Sequence, residues 1–199
     1  MNKQMLATFT ILLFALAITG YTYSTWIKTI NIQNTIETAQ FEILIQNHNT
    51  TLNPQMSTDN HTLEIQGNIS IGETLWTGII IKNNGTTPTT ITYKINTNDS
   101  LTWQTNFTHS EHFYGPYTET DDISPVWDQA TTMPPSDGST TPPELLAQNM
   151  LVIWQNITLN ETPPQPFTIE ITVTYTATWQ GWTDAVSVIY TLTYQQGET

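Results

Sequence analysis

Hydrophobic and polar residues alternate along much of the chain, most regularly between Phe167 and Trp179. One set of alternate positions there is apolar or aromatic, and the other consists of threonines and one glutamate. Successive side chains of a β-strand point to opposite faces of its sheet, so this pattern predicts a long strand with one buried and one wet face.

Further β-rich stretches follow the same pattern, and turn-forming clusters such as Asn83-Asn84-Gly85 and Gln180-Gly181 separate them. These stretches are residues 38–46, 62–71, 75–82, 89–96, 150–158 and 185–194. Seven or eight strands in one chain of this length predict a single all-β sandwich domain, which we expect to span residues 38–199.

The alternation breaks between about residues 105 and 149. An aromatic and acidic stretch is followed by the proline-rich run 133–143, and the two prolines at its end favour a short helix over Glu144–Asn149. We interpret 105–149 as a Pro-rich surface excursion from one domain, because neither flank alone has enough strands to close a core.

The N-terminus has the form of an export signal. Lys3 precedes the apolar run Met5–Ile18, as in the charged and hydrophobic regions of a signal peptide. Cleavage after Ser24 is favoured over cleavage after Ala17, because it leaves a full hydrophobic region. We therefore predict a signal peptide at 1–24 that is handled by the export machinery and signal peptidase. The alternative is an uncleaved anchor that contacts the membrane through residues 5–23, near the ~20 residues of a spanning helix.

The charge balance narrows the range of partners and chemistries. The sequence has four lysine or arginine residues and seventeen aspartate or glutamate residues, which gives a formal net charge of −13, and it has no cysteine. Nucleic acid is an unfavourable partner because its binding needs clustered cations. Disulfides, thiolate metal sites and cysteine nucleophiles are excluded.

Eight Asn-x-Ser/Thr triplets become glycosylation candidates if the protein is secreted to the cell surface or the extracellular space. They begin at Asn49, Asn60, Asn68, Asn84, Asn98, Asn106, Asn156 and Asn160. Chance triplets in an Asn- and Thr-rich chain are the competing interpretation.

Catalytic and cofactor patterns are weak. His109 and His112 lie near acidic Glu119, Asp121 and Asp122, but their i, i+3 spacing does not match the i, i+4 helical pair of zinc proteases. No nucleophile elbow or phosphate-binding glycine loop is present in the sequence. We predict no enzyme, no cofactor and no metal site. Several tryptophans in or beside strands could stack on sugars, but core packing is the commoner role.

Three segments, in order, resemble the TasA/camelysin family of exported fibre and biofilm-matrix proteins. They are Gly20–Trp26 with the following Thr38–Leu44, then Ile69–Leu75 with Ile79–Gly85, and finally Tyr175–Gly181. The sequence departs from the family pattern at Ala39, where a glycine is usual, and at Ile71, where a proline is usual.

The resemblance implies a jelly-roll-like sandwich of about seven to nine strands whose identical subunits polymerise into an extracellular filament, as in biofilm-matrix fibres and archaeal bundling pili. In such relatives the processed N-terminal segment of one subunit completes a sheet of its neighbour. Here residues 25–37 would be that donor strand, with Trp26, Ile30, Ile32 and Ile36 in one alternating apolar set. The same segment could instead fold onto its own domain. A monomeric, membrane-anchored adhesin or glycan-binding module is the alternative function.

Overall fold

The computed structural model of the protein describes residues 10–17, 39–119, 123, 131–132 and 142–196. The chain divides into two compact units, Met1–Thr38 and Ala39–Thr199. In the first unit, residues 10–17 form the short helix α1, which agrees with the predicted hydrophobic helix at the N-terminus. None of the helices in the described ranges has the length and hydropathy needed to cross a membrane.

The second unit is a β-sandwich, and its fold class confirms the prediction. One sheet, sheet A, has the order β1 (Ile43–Thr50), β4 (Thr74–Asn83), β9 (Met150–Leu159), β6 (Phe107–Tyr117) and β7 (Thr131–Thr132). The other, sheet B, has the order β2 (Asn53–Met56), β3 (Thr62–Asn68), β11 (Trp182–Tyr194), β10 (Phe167–Trp179), β5 (Thr89–Thr97) and β8 (Glu144–Leu145). Among the strands of the described residues, all pairs are antiparallel except β3 with β11. Helix α2 (Ser100–Asn106) joins β5 to β6.

The core lies between the two sheets. The apolar set of β10 faces inward, and Ile169, Val173 and Tyr175 are fully buried there, whereas the threonines of the same strand face outward. The predicted alternation is therefore realised in this strand. Strand β11 follows β10 directly through a two-residue turn in which Gln180 and Gly181 both have positive φ. This turn type matches the right-handed twist of a hairpin.

Residues 105–149 were predicted as a surface excursion, and that prediction is wrong for its first part. Strand β6 lies inside sheet A, paired with β9 along most of its length. The inward-facing positions of β6 include His109 and Glu111, so this strand lacks the alternation of apolar residues that predicted the other strands. The helix predicted over Glu144–Asn149 is also wrong, because Glu144–Leu145 form β8 beside β5.

Asn83 fixes the end of β4 from within the core. It is 1% exposed, and its side-chain amide donates to the carbonyls of Thr87 and Leu145 at 2.8 and 3.1 Å. Its Oδ1 accepts the Gly85 N–H at 3.0 Å. The predicted turn at 83–85 is therefore held by a buried side chain rather than by its backbone alone.

Candidate functional site

Two of the four sheet edges, β1 and β2, have features that hinder pairing with a further strand. On β1, the Ile43 N–H donates to the Asp184 carboxylate at 2.8 Å, and the Ile45 N–H donates to the Asn60 carbonyl at 2.8 Å. Strand β2 is four residues long and contains Pro54, which has no N–H. Occupied donors, short length and proline are features that protect edge strands from unwanted pairing.

The other two edges leave longer stretches unpaired among the described residues. Strand β5 pairs with β8 only at Thr89 and Thr90, so its Thr92–Thr97 stretch has β10 as its sole described strand neighbour. Strand β6 pairs with β7 only at His112 and Phe113, so its Phe107–Glu111 stretch has β9 alone. The gap between these two stretches is called the seam below.

The two edges of the seam face each other across the sandwich. The ring of Tyr93 on β5 lies 5.8 Å from that of His109 on β6. On the inner face of β5, Ile91 is fully buried, whereas Tyr93 and Ile95 are only partly buried. The apolar interior therefore reaches solvent at the seam, within the part of the chain that is described.

Aromatic side chains line one end of the seam. Asp99 caps α2 by accepting the Thr102 N–H at 3.0 Å, and the helix places Trp103 beside β6. The Trp103 ring stacks on Phe107 at 5.4 Å and lies 6.0 Å from His109. Phe107 also contacts Phe167 edge to face at 6.0 Å. These rings provide an apolar wall next to the open edge of β6.

A layer of polar side chains runs from the interior of the sandwich to the seam. Neighbouring strands of sheet A place Thr77, Gln155 and Glu111 side by side on the inner face. The layer, called the polar layer below, consists of Thr77, Gln155, Glu111 and His109 from sheet A and Tyr190, Tyr175 and Tyr93 from sheet B.

The side chains of the polar layer that lie farthest from the seam have hydrogen-bond partners. The Thr77 hydroxyl donates to that of Thr50 at 3.3 Å and also hydrogen-bonds Tyr190. Tyr175 donates to Glu111 Oε2 at 2.6 Å. Burial, together with the nearby Glu111, raises the pKa of Tyr175 well above its usual value of 10.0, so Tyr175 stays protonated as a donor.

The part nearest the seam is incompletely paired. Glu111 Oε1, His109 Nε2 and both side-chain polar atoms of Gln155 are buried without a hydrogen-bond partner among the described residues. His109 Nε2 lies 3.5 Å from Glu111 Oε1. Burial raises the pKa of the Glu111 carboxyl above its usual 4.5, although His109 and the Tyr175 hydrogen bond oppose that rise. A buried carboxyl with an unused oxygen is costly, so it favours a partner that brings a donor or a positive charge.

A second apolar cluster covers the outer face of sheet A. It contains Ile80, Val152 and Trp154, with Ile123 packed against it. The Trp154 indole N–H donates to the Ile123 carbonyl at 2.9 Å. Ile123, which belongs to the predicted excursion, therefore packs on the sheet, in agreement with the apolar residues at outward-facing positions of β4 and β9.

The two histidines of the acidic and histidine-containing stretch lie on opposite faces of their strand. His109 faces the interior while His112 lies on the other face of β6, as an odd spacing on a strand requires. No group of three or more histidine or acidic side chains suited to a metal occurs in the described ranges. Glu119 is exposed, and Asp121 and Asp122 lie outside those ranges.

Most of the glycosylation candidates are accessible. Asn106 is buried at 8% exposure, and Asn84 and Asn156 are partly buried, with the Asn84 amide donating to Glu42 at 2.6 Å. The exposed candidates are Asn49, Asn60, Asn68, Asn98 and Asn160. The predicted donor residues Trp26, Ile30, Ile32 and Ile36, and the cleavage candidate Ser24, lie outside the described residues.

The tryptophans differ in their environments. Trp154 is buried, while Trp182 is 67% exposed and lies directly opposite Trp179 across the β10–β11 turn. We expected tryptophans in strands to pack in the core, and Trp182 does not do so.

Comparison with known proteins adds little beyond the fold. No protein-family model matches the chain, and no curated protein matches it. One similar solved structure is a family 123 glycoside hydrolase from Clostridium perfringens, with 11% identity and a TM-score of 0.43; the match covers 77% of this chain and 27% of the hydrolase. The chain thus spans about a quarter of that protein.

A pilin subunit and a tip adhesin are also among the similar structures. The CooA pilin subunit from enterotoxigenic Escherichia coli matches at 11% identity and a TM-score of 0.37, over 73% of this chain and 99% of the pilin. The CupB6 tip adhesin from Pseudomonas aeruginosa matches at 8% identity and a TM-score of 0.40, over 72% of this chain and 43% of the adhesin. These likenesses are too distant to bear on function.

Proposed function

We propose that this protein is an exported structural subunit of an extracellular filament, in which residues 25–37 of one copy insert as a donor strand into the seam of the next. The observation that carries the proposal is the seam itself: within the described part of the chain, stretches of two strand edges lack a further strand beside them and border a partly buried apolar interior. Residues 25–37 supply a β-prone segment with a matching apolar face.

Burial and backbone pairing provide the driving force. An inserted strand would add to the open edge of β5 and cover Tyr93 and Ile95. Each large apolar side chain that it buries contributes about 1.5–3 kcal/mol, and each ladder hydrogen bond about 0.5–1.5 kcal/mol. Ordering and association oppose these gains by several kcal/mol. Insertion of four such side chains leaves a favourable surplus.

The geometry of the contact leads to a polymer. The donor segment and the seam are different surfaces of one chain, so the contact is heterologous and each bound subunit offers a new free seam. Strand addition also removes the edge that would otherwise pair indiscriminately. Removal of the signal peptide after Ser24 would create the free donor end, and the proposed resemblance to the TasA/camelysin family agrees with this order of events.

The test uses the mature chain that begins at Thr25. Ile30→Asp with Ile32→Asp puts two charges on the apolar face of the donor segment, and we expect soluble monomers by sedimentation and no fibres by electron microscopy. Asn31→Asp with Gln33→Glu adds the same charge on the opposite face and should leave fibres intact. Fibres from both variants, or from neither, would contradict insertion of the apolar face.

A second candidate function is glycan binding at the β10–β11 turn. Trp182 is 67% exposed beside Trp179, and Trp179 borders a depression lined by Pro88, Glu144 and Thr178. Exposed aromatic faces next to polar groups are suited to stacking on sugars. Loss of glycan-array binding by Trp182→Ala, with fibres unaffected, would support this function. An intact Met1 in native material would favour the membrane-anchored form.

A further inference from the structure

We infer that Lys28 of an inserted donor segment pairs with Glu111 in the seam of the next copy and that this pair sets the register of the inserted strand. The inference rests on the proposed function, since it names the contact by which the donor segment is recognised.

On the donor side of the pair, Lys28 places a positive charge on a face that is otherwise largely apolar. Lys28 has the same alternation as Trp26, Ile30 and Ile32, so in a strand it lies on their apolar face. The chain contains only four cationic residues. Two of the others, Lys82 and Lys94, lie on outward-facing positions of β4 and β5. A cation placed on a buried face is strongly unfavourable unless an anion meets it there.

The acceptor side has one suitable anion. Glu111 is the sole buried acidic residue in the described part of the chain, with a relative exposure of 1%. Its Oε2 accepts from Tyr175, whereas among the described residues Oε1 has only His109 Nε2 near it, at 3.5 Å and without a hydrogen bond. The same His109 ring lies 5.8 Å from the ring of Tyr93 and 6.0 Å from that of Trp103 at the seam, so Glu111 is one side chain away from these rings. Because burial raises the pKa of Glu111, an arriving ammonium group would relieve the cost of its ionisation.

The pair would specify register because it occurs once. With Lys28 beside Glu111, Trp26 and Ile30 lie about 7 Å to either side along the strand, against the apolar walls of the seam. The next polar position of this face, Asn34, falls about 20 Å away. If the inserted strand shifted by two residues, Lys28 and Glu111 would both be buried but would no longer contact each other. A single buried polar pair can fix register in this way.

The experiment exchanges the charges in the full mature chain. Lys28→Glu alone and Glu111→Lys alone place like charges together, so the critical concentration for fibre formation should rise roughly 30-fold or more. An equimolar mixture of the two variants restores opposite charges at every junction and should restore fibres. The chain with both changes should also form fibres. Rescue by mixing identifies the contact as one between copies.

Two substitutions that remove the charges serve as a second test in case Glu111→Lys does not fold. Glu111→Gln should raise the critical concentration, and adding Lys28→Met should recover it to within about tenfold of the unmodified chain. The inference is overturned if the single variants assemble normally, or if folded single variants are not rescued by mixing. It is also overturned if Lys28→Met fails to rescue Glu111→Gln.

The two proposals fail in different ways. If the charge variants assemble normally while Ile30→Asp with Ile32→Asp still abolishes fibres, the donor strand stands and only the pair is wrong. If the isoleucine variant also assembles normally, the proposed function itself is wrong.

Discussion

The buried carboxyl of Glu111 should give the unassembled subunit a characteristic dependence of stability on pH. Burial raises the pKa of Glu111 above 4.5, so the folded chain holds this proton more tightly than the unfolded chain does. A raised carboxyl pKa contributes stability that is fully present below about 4.5 and is lost as the pH rises through the folded value. Replacement by glutamine removes this loss.

The magnitude follows from the number of protons involved. A single carboxyl with a raised pKa can change the number of protons bound by the folded chain relative to the unfolded chain by at most one. One proton corresponds to about 1.4 kcal/mol in the free energy of unfolding per pH unit. Above pH 4.5, the stability of Glu111→Gln relative to the parent should therefore grow by up to about 1.4 kcal/mol per unit until the folded pKa is passed.

Urea unfolding between pH 4 and 7 measures this difference. Both proteins should carry Ile30→Asp and Ile32→Asp, so that assembly does not contribute to the stability. Glu64→Gln, which removes an exposed carboxyl from β3, is the matched control. A difference between Glu111→Gln and its parent that is independent of pH, or no larger than that of the control, would refute the assigned role of burial.

Three further predictions concern other features. Asn83→Ala removes a buried amide with several hydrogen bonds and should lower the free energy of unfolding by about 2–4 kcal/mol, against less than 0.5 kcal/mol for exposed Asn96→Ala, both by chemical denaturation. In Gly78→Ala the new methyl group would lie 2.7 Å from the Trp154 ring, so stability should fall by about 1–3 kcal/mol and the tryptophan fluorescence should change. Glycopeptide mass spectrometry of native material should find glycans at exposed sequons such as Asn60 and Asn160 and none at Asn106; a glycan at Asn106 would contradict its burial.

The sequence predicted those strands whose inner face is apolar. In β10, threonine alternates with inward-facing apolar residues, and the pattern alone locates both the strand and its buried face. Strand β6 escaped detection because His109 and Glu111 take inward positions that an apolar pattern would fill. The strands β7 and β8 are two residues long and exist only because a longer strand lies beside them.

The candidate site depended on information that the linear sequence does not contain. Gln155 interrupts the otherwise apolar inward-facing positions of β9, which marks it as an unusual core residue. Its proximity to Glu111 and Thr77 follows only from the register of three strands. Which edges stay open likewise depends on strand order, and on contacts such as that of Asp184 with Ile43. By contrast, the alternation of residues 25–37 is visible in the sequence alone.

Disulfide trapping tests the central claim most directly, because the chain has no cysteine of its own. Asn31→Cys on the outward face of the donor segment can be combined in turn with Thr92→Cys, Lys94→Cys or Asn96→Cys on the outward face of β5. The account predicts that oxidised mature protein gives a ladder of covalent multimers on non-reducing gels for one of these pairs. Cross-links confined to single chains, or absent from all three pairs, would contradict insertion of the segment into the seam of a neighbouring copy.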